Sequence, residues 1–249
     1  MHRNKHEFAL LCPNLSELVA NKRQDITITD DLLVHRITHV LRLAPQESII
    51  LFDRAHHAFC TLQTITKKNC TVRVNELHTN TTILPIITFL LPLLKRDALE
   101  ELVYSLTEIG VTSIQLIKTE KIQRSWNGTP EYERLQKIII AAAEQSKNYT
   151  YPLLHEPCAL DEALRNCPNP ATKLYADPEG ELLAKFFAET SGTKQSSFVL
   201  MIGPEGDLVQ SEKEQLRTAY FTFCALTPTI LRSVQAGAVF AGIIRSFYR

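Results

Sequence analysis

From Leu84 onward the sequence alternates short apolar runs of β type with longer segments of helical period, and few architectures accept that pattern. Leu84-Pro-Ile-Ile-Thr-Phe-Leu-Leu91 is followed by a stretch in which Leu99, Leu102, Val103, Leu106 and Ile109 share one helical face. Asp97 is expected to cap that helix and Gly110 to stop it. Thr112 to Lys118 reads as the next strand and Pro130 to Gln145 as the next helix. The series continues with a strand over Thr172 to Ala176, a helix near Glu181 to Glu189 and the run Ser197-Phe-Val-Leu-Met-Ile202. Ser211, with Glu214 three residues on, has the capping-box pattern of a helix start; Tyr220 to Ala225 and a final helix from Ser233 to Phe247 close the chain. Strands buried on both faces are apolar throughout rather than alternating, so the series predicts a parallel sheet covered by helices on both sides.

The earlier part has a different grammar. Ser48 to Asp53, Ala58 to Gln63 and Cys70 to Asn75 are short, rich in β-branched or aromatic residues, and separated by polar breaks at Arg54–His57 and Lys67–Asn69. Strands at this spacing predict a small antiparallel barrel or sandwich. Ahead of them, Ile37, Val40 and Leu41 lie at helical spacing within His35 to Leu43, ended by Pro45. Composition marks the same division: all eight glycines lie at or after Gly110, and seven of the eight histidines at or before His78. We place the boundary at residue 77, giving an α/β chain with a small β domain over 1–77 and a parallel α/β domain over 78–249.

The chain of 249 residues carries 27 basic and 27 acidic side chains, which excludes a protein that holds nucleic acid by bulk charge alone. Residues 1–77 hold ten Lys/Arg against eight Asp/Glu, leaving the remainder mildly acidic. The most apolar stretch, Ile83 to Leu94, is broken by Pro85, Thr88 and Pro92 and is too short to cross a bilayer, and no secretory leader pattern follows Met1; a cytoplasmic protein is expected. The six cysteines are scattered without a Cys-x-x-Cys pair, so buried reduced thiols are expected, with no metal site.

In parallel α/β sheets ligands bind beyond the carboxyl ends of strands. Two strand ends are unusual here. Ile202-Gly-Pro-Glu-Gly-Asp207 follows a strand almost without polar atoms; Gly203 and Gly206 permit close backbone approach, Pro204 stiffens the loop and Glu205 is displayed. An ordinary strand–helix turn has much the same composition. Leu226-Thr-Pro-Thr-Ile-Leu-Arg232 puts Ile230 and Leu231 in a loop, where they either plug the core or line a pocket for a flat, partly apolar ligand such as an adenosine. Arg232 stands at the entrance to the last helix. The spacing is neither G-x-G-x-x-G nor a Walker loop, which argues against a nicotinamide enzyme.

These loops, with Ala141-Ala-Ala-Glu-Gln-Ser146 and His39-Val-Leu-Arg-Leu43 followed by Leu51-Phe-Asp53, occur in the order and spacing of one family. Over nearly its whole length the chain resembles the RsmE family, bacterial methyltransferases that methylate N3 of a uridine in 16S ribosomal RNA of the small ribosomal subunit. The resemblance implies a PUA-like β-barrel followed by a SPOUT α/β domain with a C-terminal trefoil knot. It also implies a homodimer and S-adenosylmethionine as methyl donor. Carried over by position, the backbone around Leu200, Ile202, Gly203 and Gly206 would hold the cofactor, with Leu226, Ile230 and Leu231 closing over its adenine. Arg232 and Glu205 become the catalytic candidates, Glu205 either as proton acceptor or as a brace for its loop. Glu144 and Gln145 match a Glu-Gln pair, and Arg42, Arg54 and Gln145 are the implied RNA contacts.

Several positions depart from the family pattern. Thr227 replaces a glycine, Thr229 an arginine and Val234 a glutamate; Asp207 stands for a glycine, Asn148 for an arginine, and Lys95-Arg-Asp97 for an Arg-Gly-Glu element. Ser233 keeps a hydroxyl at the expected helix cap. Two expectations follow: an active rRNA methyltransferase, or a paralogue that keeps the fold and binds RNA or cofactor but transfers methyl groups poorly.

Overall fold

The computed structural model describes residues 7–20, 24–122, 124–190 and 196–247. Four of the basic side chains counted in the first part, Arg3, Lys5, Lys22 and Arg23, lie outside these residues. The chain forms two compact units, one taking in the described residues up to Thr81 together with Ala143–Thr150, the other Thr82–Ala142 with Tyr151 onward.

The first unit contains β1 (Phe8–Leu11), α1 (Leu15–Val19), β2 (Asp25–Ile28), α2 (Asp31–His35), β3 (Ser48–Phe52), β4 (His56–Ile65) and β5 (Cys70–Thr79). Its five strands form one sheet in the order β1-β3-β4-β5-β2, antiparallel except where β1 runs parallel to β3. Period-two alternation sends Ile49 and Leu51, then Ala58, Cys60 and Leu62, to a core shared with Leu33, Val34 and Ile37. The expected helix over His35–Leu43 starts earlier: Asp30 caps α2 by accepting the Leu33 N–H at 2.7 Å, and the chain continues as a π-helical turn over Arg36–Val40. It ends at Arg42, whose φ of 52° leaves the helical region.

Glu144, at the end of the long helix α4 (Thr129–Ser146), belongs to this unit. Its carboxylate takes both guanidinium nitrogens of Arg36, at 2.7 and 2.5 Å, and the backbone N–H of Leu11 at 3.0 Å. Glu144→Ala strands the Arg36 charge and the Leu11 N–H together. Because Arg36 is 39% exposed, we expect a loss of about 2 kcal/mol, below the range for fully buried pairs, read from the urea midpoint.

The second unit adds β6 (Ile86–Pro92), α3 (Arg96–Glu108), β7 (Ser113–Lys118), β8 (Leu153–Ala159), α5 (Leu160–Arg165), β9 (Thr172–Leu182), α6 (Leu183–Thr190), β10 (Ser197–Ile202), α7 (Gln210–Thr218), β11 (Thr222–Ala225) and α8 (Ser233–Phe247). Six parallel strands run in the order β11-β9-β10-β6-β7-β8. The apolar run of β10 serves both faces: Phe198, Leu200 and Ile202 join the core with α3 and α8, while Val199 and Met201 pack with residues of α5 and α7. That is the physical content of the unbroken hydrophobic run.

Three helix starts differ from the sequence expectation. The N-cap of α3 is Lys95, and Asp97 sits inside the first turn. Helix α7 begins at Gln210 behind Val209, and Glu212 rather than Glu214 reaches back, accepting the Val209 N–H at 3.0 Å and the Glu120 N–H at 2.8 Å. At α8 the capping position is Arg232, whose carbonyl accepts the Ala236 N–H at 2.8 Å; Ser233 is already helical. At α3 a tertiary partner, the Glu205 carboxylate, accepts the Lys95 N–H at 3.0 Å, whereas at α7 the local Glu212 takes that role.

Strand β9 carries the feature that shapes the site. Its pairing with β11 jumps from Tyr175 to Glu181, so the residues between swing out of the ladder. Asp177 turns the excursion by accepting the Glu179 N–H at 2.9 Å. Gly180 brings it back against β11, where a Cβ would lie 2.6 Å from backbone atoms of Phe223 and Cys224. Backbone cannot give way as a flexible side chain can. Gly180→Ala is therefore expected to cost about 2 kcal/mol and lower Tm by about 6 °C in a thermal melt.

All six cysteines are free thiols, four buried and two half-buried. Burial pushes Cys60 and Cys224 up to about 12 and Cys12 to about 11, which keeps them protonated and unreactive. Among the described residues no helix is long and apolar enough to cross a membrane, and no group of three metal-ligating side chains comes together.

Candidate active site

The carboxyl ends of β10 and β11, with the mid-strand excursion of β9, open into a cleft of ≈ 570 Å³, within the range of small-molecule sites. Ala176, Asp177 and Pro178 of the excursion form one side, Ile202 to Glu205 and Asp207 the floor, and Leu226 with Thr227 and Thr229 to Ala236 the opposite side; Ala98 and Glu101 of α3 complete it. Of the residues singled out from the sequence, Ile202, Gly203, Glu205, Leu226, Ile230, Leu231 and Arg232 line this one cleft. Leu200 lies in the solvent-free interior of β10 and Gly206 just outside the lining, where the Lys121 ammonium donates to its carbonyl at 3.1 Å. Arg42, Arg54 and Gln145 are exposed and belong to the first unit. Asn148 is buried there, its N–H donating to the Ala143 carbonyl at 3.0 Å.

Space at 203 is tight for anything larger than glycine. A Cβ there would stand 3.0 Å from both the Tyr175 hydroxyl and the Asp207 carboxylate. Those two groups are themselves bonded, Tyr175 donating to Asp207 at 3.0 Å. Asp207 adopts φ 57° and is held there by three donors: Tyr175, its neighbour Leu208 N–H at 2.7 Å, and Lys213 at 2.8 Å. Lys213 bridges to buried Asp177 at 2.9 Å. Burial alone would raise the Asp207 carboxyl, but Lys213, the Leu208 N–H and Tyr175 together hold it below its ordinary value. Two carboxylates share one ammonium, so this end of the cleft is net negative.

Arg232 brings a positive charge to the same cleft. Arg232 Nε donates to the Gln235 amide oxygen at 3.1 Å, and among the described residues no carboxylate pairs with it. Ile230 is 83% exposed at the mouth, an apolar side chain for which the chain itself supplies no cover. Glu205 lines the cleft while its Oε1 accepts the Lys95 N–H at 3.0 Å, tying the β10 loop to the start of α3. Thr227 donates to the Thr229 carbonyl at 2.7 Å and so closes the β11 loop on itself.

The model of the RNA methyltransferase domain family matches residues 82–245, which span the cleft and the sheet beneath it. The chain belongs to the RNA methyltransferase domain family. Curated relatives include ribosomal RNA small subunit methyltransferase E of Rickettsia conorii, 29% identical over 81% of this chain and 80% of that protein. The enzyme of the same name from Bacillus subtilis is 29% identical over 82% and 83%. A crystal structure of ribosomal RNA small subunit methyltransferase E from Neisseria gonorrhoeae, bound to S-adenosyl methionine, shares the fold with a TM-score of 0.84. It is 24% identical and is matched over 98% of each chain.

For an RNA methyltransferase of this family, the sequence missed the excursion at Ala176–Pro178 and the partners of Asp207. Asp177-Pro-Glu-Gly180 is a turn signature placed inside a strand pattern, and that was the available signal.

Proposed function

We propose that the chain is an S-adenosylmethionine-dependent methyltransferase acting on N3 of a uridine in 16S ribosomal RNA of the small subunit. The observation that carries this reading is one cleft combining a close-approach glycine, apolar walls, a net-negative carboxylate pair and an arginine that among the described residues pairs with no carboxylate. The residues fit the cofactor. Ile202, Leu226, Ile230 and Leu231 offer apolar surface to an adenine, Gly203 lets the backbone approach closely, and the Asp177–Lys213–Asp207 group complements a net positive ligand. S-adenosylmethionine, when bound, supplies an activated sulfonium methyl, so the main demand on the protein is alignment.

Uridine N3 carries a proton near neutral pH that must leave before methylation. Arg232 favours the anionic base by opposite charge, which lowers the cost of losing that proton. Glu205 serves mainly as a brace, since one of its oxygens is committed to Lys95. In this reading residues 1–77 engage the RNA through Arg42 and Arg54, Gln145 adds a further RNA contact, and residues 78–249 hold the cofactor. The knot and the homodimer belong to the same reading and rest on the motifs at Ile202–Gly206 and Leu226–Arg232; a cytoplasmic setting goes with the proposed ribosomal RNA substrate. Sedimentation equilibrium tests the dimer directly, a monomer mass being the adverse result.

One observation favours a second reading. Thr227, Thr229 and Val234, which stand for a glycine, an arginine and a glutamate, all line the cleft. A cofactor-binding protein that transfers poorly would have such a site. Incubation with unmodified small subunits and methyl-labelled cofactor, followed by nuclease mapping and mass spectrometry, separates the two. Label on uridine N3 supports the enzyme; tight cofactor binding without transfer supports the second reading.

A further inference from the structure

Alternation along a strand gives the sheet of the first unit two faces, and the second face carries several rings beside Ile50. Ile49, Leu51, Ala58 and Cys60 go to the core, so Phe52, His57 and Phe59 fall on the opposite side. His78 lies directly across from His57 in the β4–β5 ladder. Their imidazoles stack with centroids 5.0 Å apart and planes 18° apart. On the other side Tyr149 stacks on His57 at 4.3 Å and 23°, and buried Phe52 lies 5.2 Å from Tyr149. Phe59 presses edge-on against both histidines at 5.7 Å. The result is a column of rings running from buried Phe52 to His78, whose side chain is 47% exposed.

The column is fixed at its edges, which leaves ring faces for contact. His57 Nδ1 lies 2.7 Å from the Asn80 amide oxygen, and Asn80 donates in turn to the Asp53 carbonyl at 2.9 Å. His78 Nε2 lies 3.1 Å from a Glu76 carboxylate oxygen. A preordered, flat, sequence-tolerant surface of this kind suits an unstacked base, because every nucleobase has a π face and aromatic rings on a sheet are a recurrent means of holding single-stranded RNA.

We propose that the Phe52–Tyr149–His57–His78 column is a stacking platform for one unpaired nucleobase of the RNA substrate, with His78 as the contacting ring. The inference rests on the reading of the chain as an RNA methyltransferase and names a contact that sets which RNA segment it holds. The occupant is a single-stranded segment; paired bases are already stacked and have no face to offer.

The test uses the full chain and short single-stranded RNAs, each carrying 2-aminopurine at one position, whose fluorescence is quenched by stacking. The wild-type chain is expected to quench one or a few positions. His78→Ala is expected to abolish that quenching and weaken binding about tenfold, while His78→Phe retains both and a fully duplexed RNA is indifferent to either change. Unaltered quenching and affinity in His78→Ala overturn the platform. So does failure of His78→Phe alongside alanine with an unchanged melt, or absence of RNA binding by the wild-type chain. Methyl transfer to small subunits is measured separately, so loss of that activity with the quenching intact counts against the enzyme reading and not against the platform.

Discussion

Replacing Gly203 by valine is expected to weaken S-adenosylmethionine binding about 100-fold, with a smaller change in global stability. The first atom added at this position meets the Tyr175 hydroxyl and the Asp207 carboxylate at 3.0 Å, and two further methyl carbons add bulk where Gly203 lines the cleft. Either the β10 loop lifts away from Tyr175 or the Tyr175–Asp207 bond breaks. Both outcomes disturb Asp207, whose left-handed backbone depends on its three donors. Strain from overpacking runs at about 1–3 kcal/mol, and about 2.7 kcal/mol corresponds to a 100-fold change in affinity. Titration calorimetry with the cofactor reads the affinity and a thermal melt reads the fold. Wild-type affinity in Gly203→Val would remove the glycine cradle from the cofactor site. A matching collapse of the melt would mean that the glycine serves the fold first.

The parts of this site that were legible in the sequence share one property: their chemistry is local. An apolar run ending in Gly-Pro-Glu-Gly announces a strand end and a permissive loop together. Ile230 and Leu231 stand out because apolar residues are unusual in such a loop. The unread parts depend on partners distant in the chain. Asp207 reads as a departure from a glycine until Tyr175, 32 residues away, is seen to donate to it. Glu144 reads as a motif residue, yet its partner Arg36 is 108 positions earlier and nothing in the helical pattern of α4 shows which core its last turn joins. Short strands escaped for a different reason. β1 and β2 have four residues each, too few to establish a period, and β8 at the sheet edge is interrupted by the consecutive residues His155, Glu156 and Pro157, which break the strand pattern. The ring column was split between Phe52, His57, His78 and Tyr149; strand register unites the first three, and packing of the segment after α4 brings in Tyr149.

Arg232→Ala is expected to cut methyl transfer about 100-fold while leaving cofactor affinity within a few-fold of the wild-type value. The asymmetry follows from position. Arg232 stands at the head of α8, where its carbonyl already accepts the Ala236 N–H, so the backbone place is kept whatever the side chain. Its guanidinium bonds a neutral amide, and truncation leaves no carboxylate unpaired among the described residues. The negative end of the cleft, Asp177 and Asp207 with Lys213, is untouched and continues to favour a cationic ligand. In the proposed mechanism what disappears is the positive charge that would favour deprotonated uridine, and loss of one preorganised electrostatic contact typically costs about 100-fold or more in turnover. Arg232→Lys restores charge without the planar fork and should recover part of the rate. Because the missing charge acts by easing loss of the N3 proton, the alanine variant should regain rate as pH rises toward the uridine pKa, more steeply than the wild-type enzyme. A uniform loss at every pH would instead make Arg232 a residue that places the RNA, and unchanged turnover would take it out of the reaction altogether.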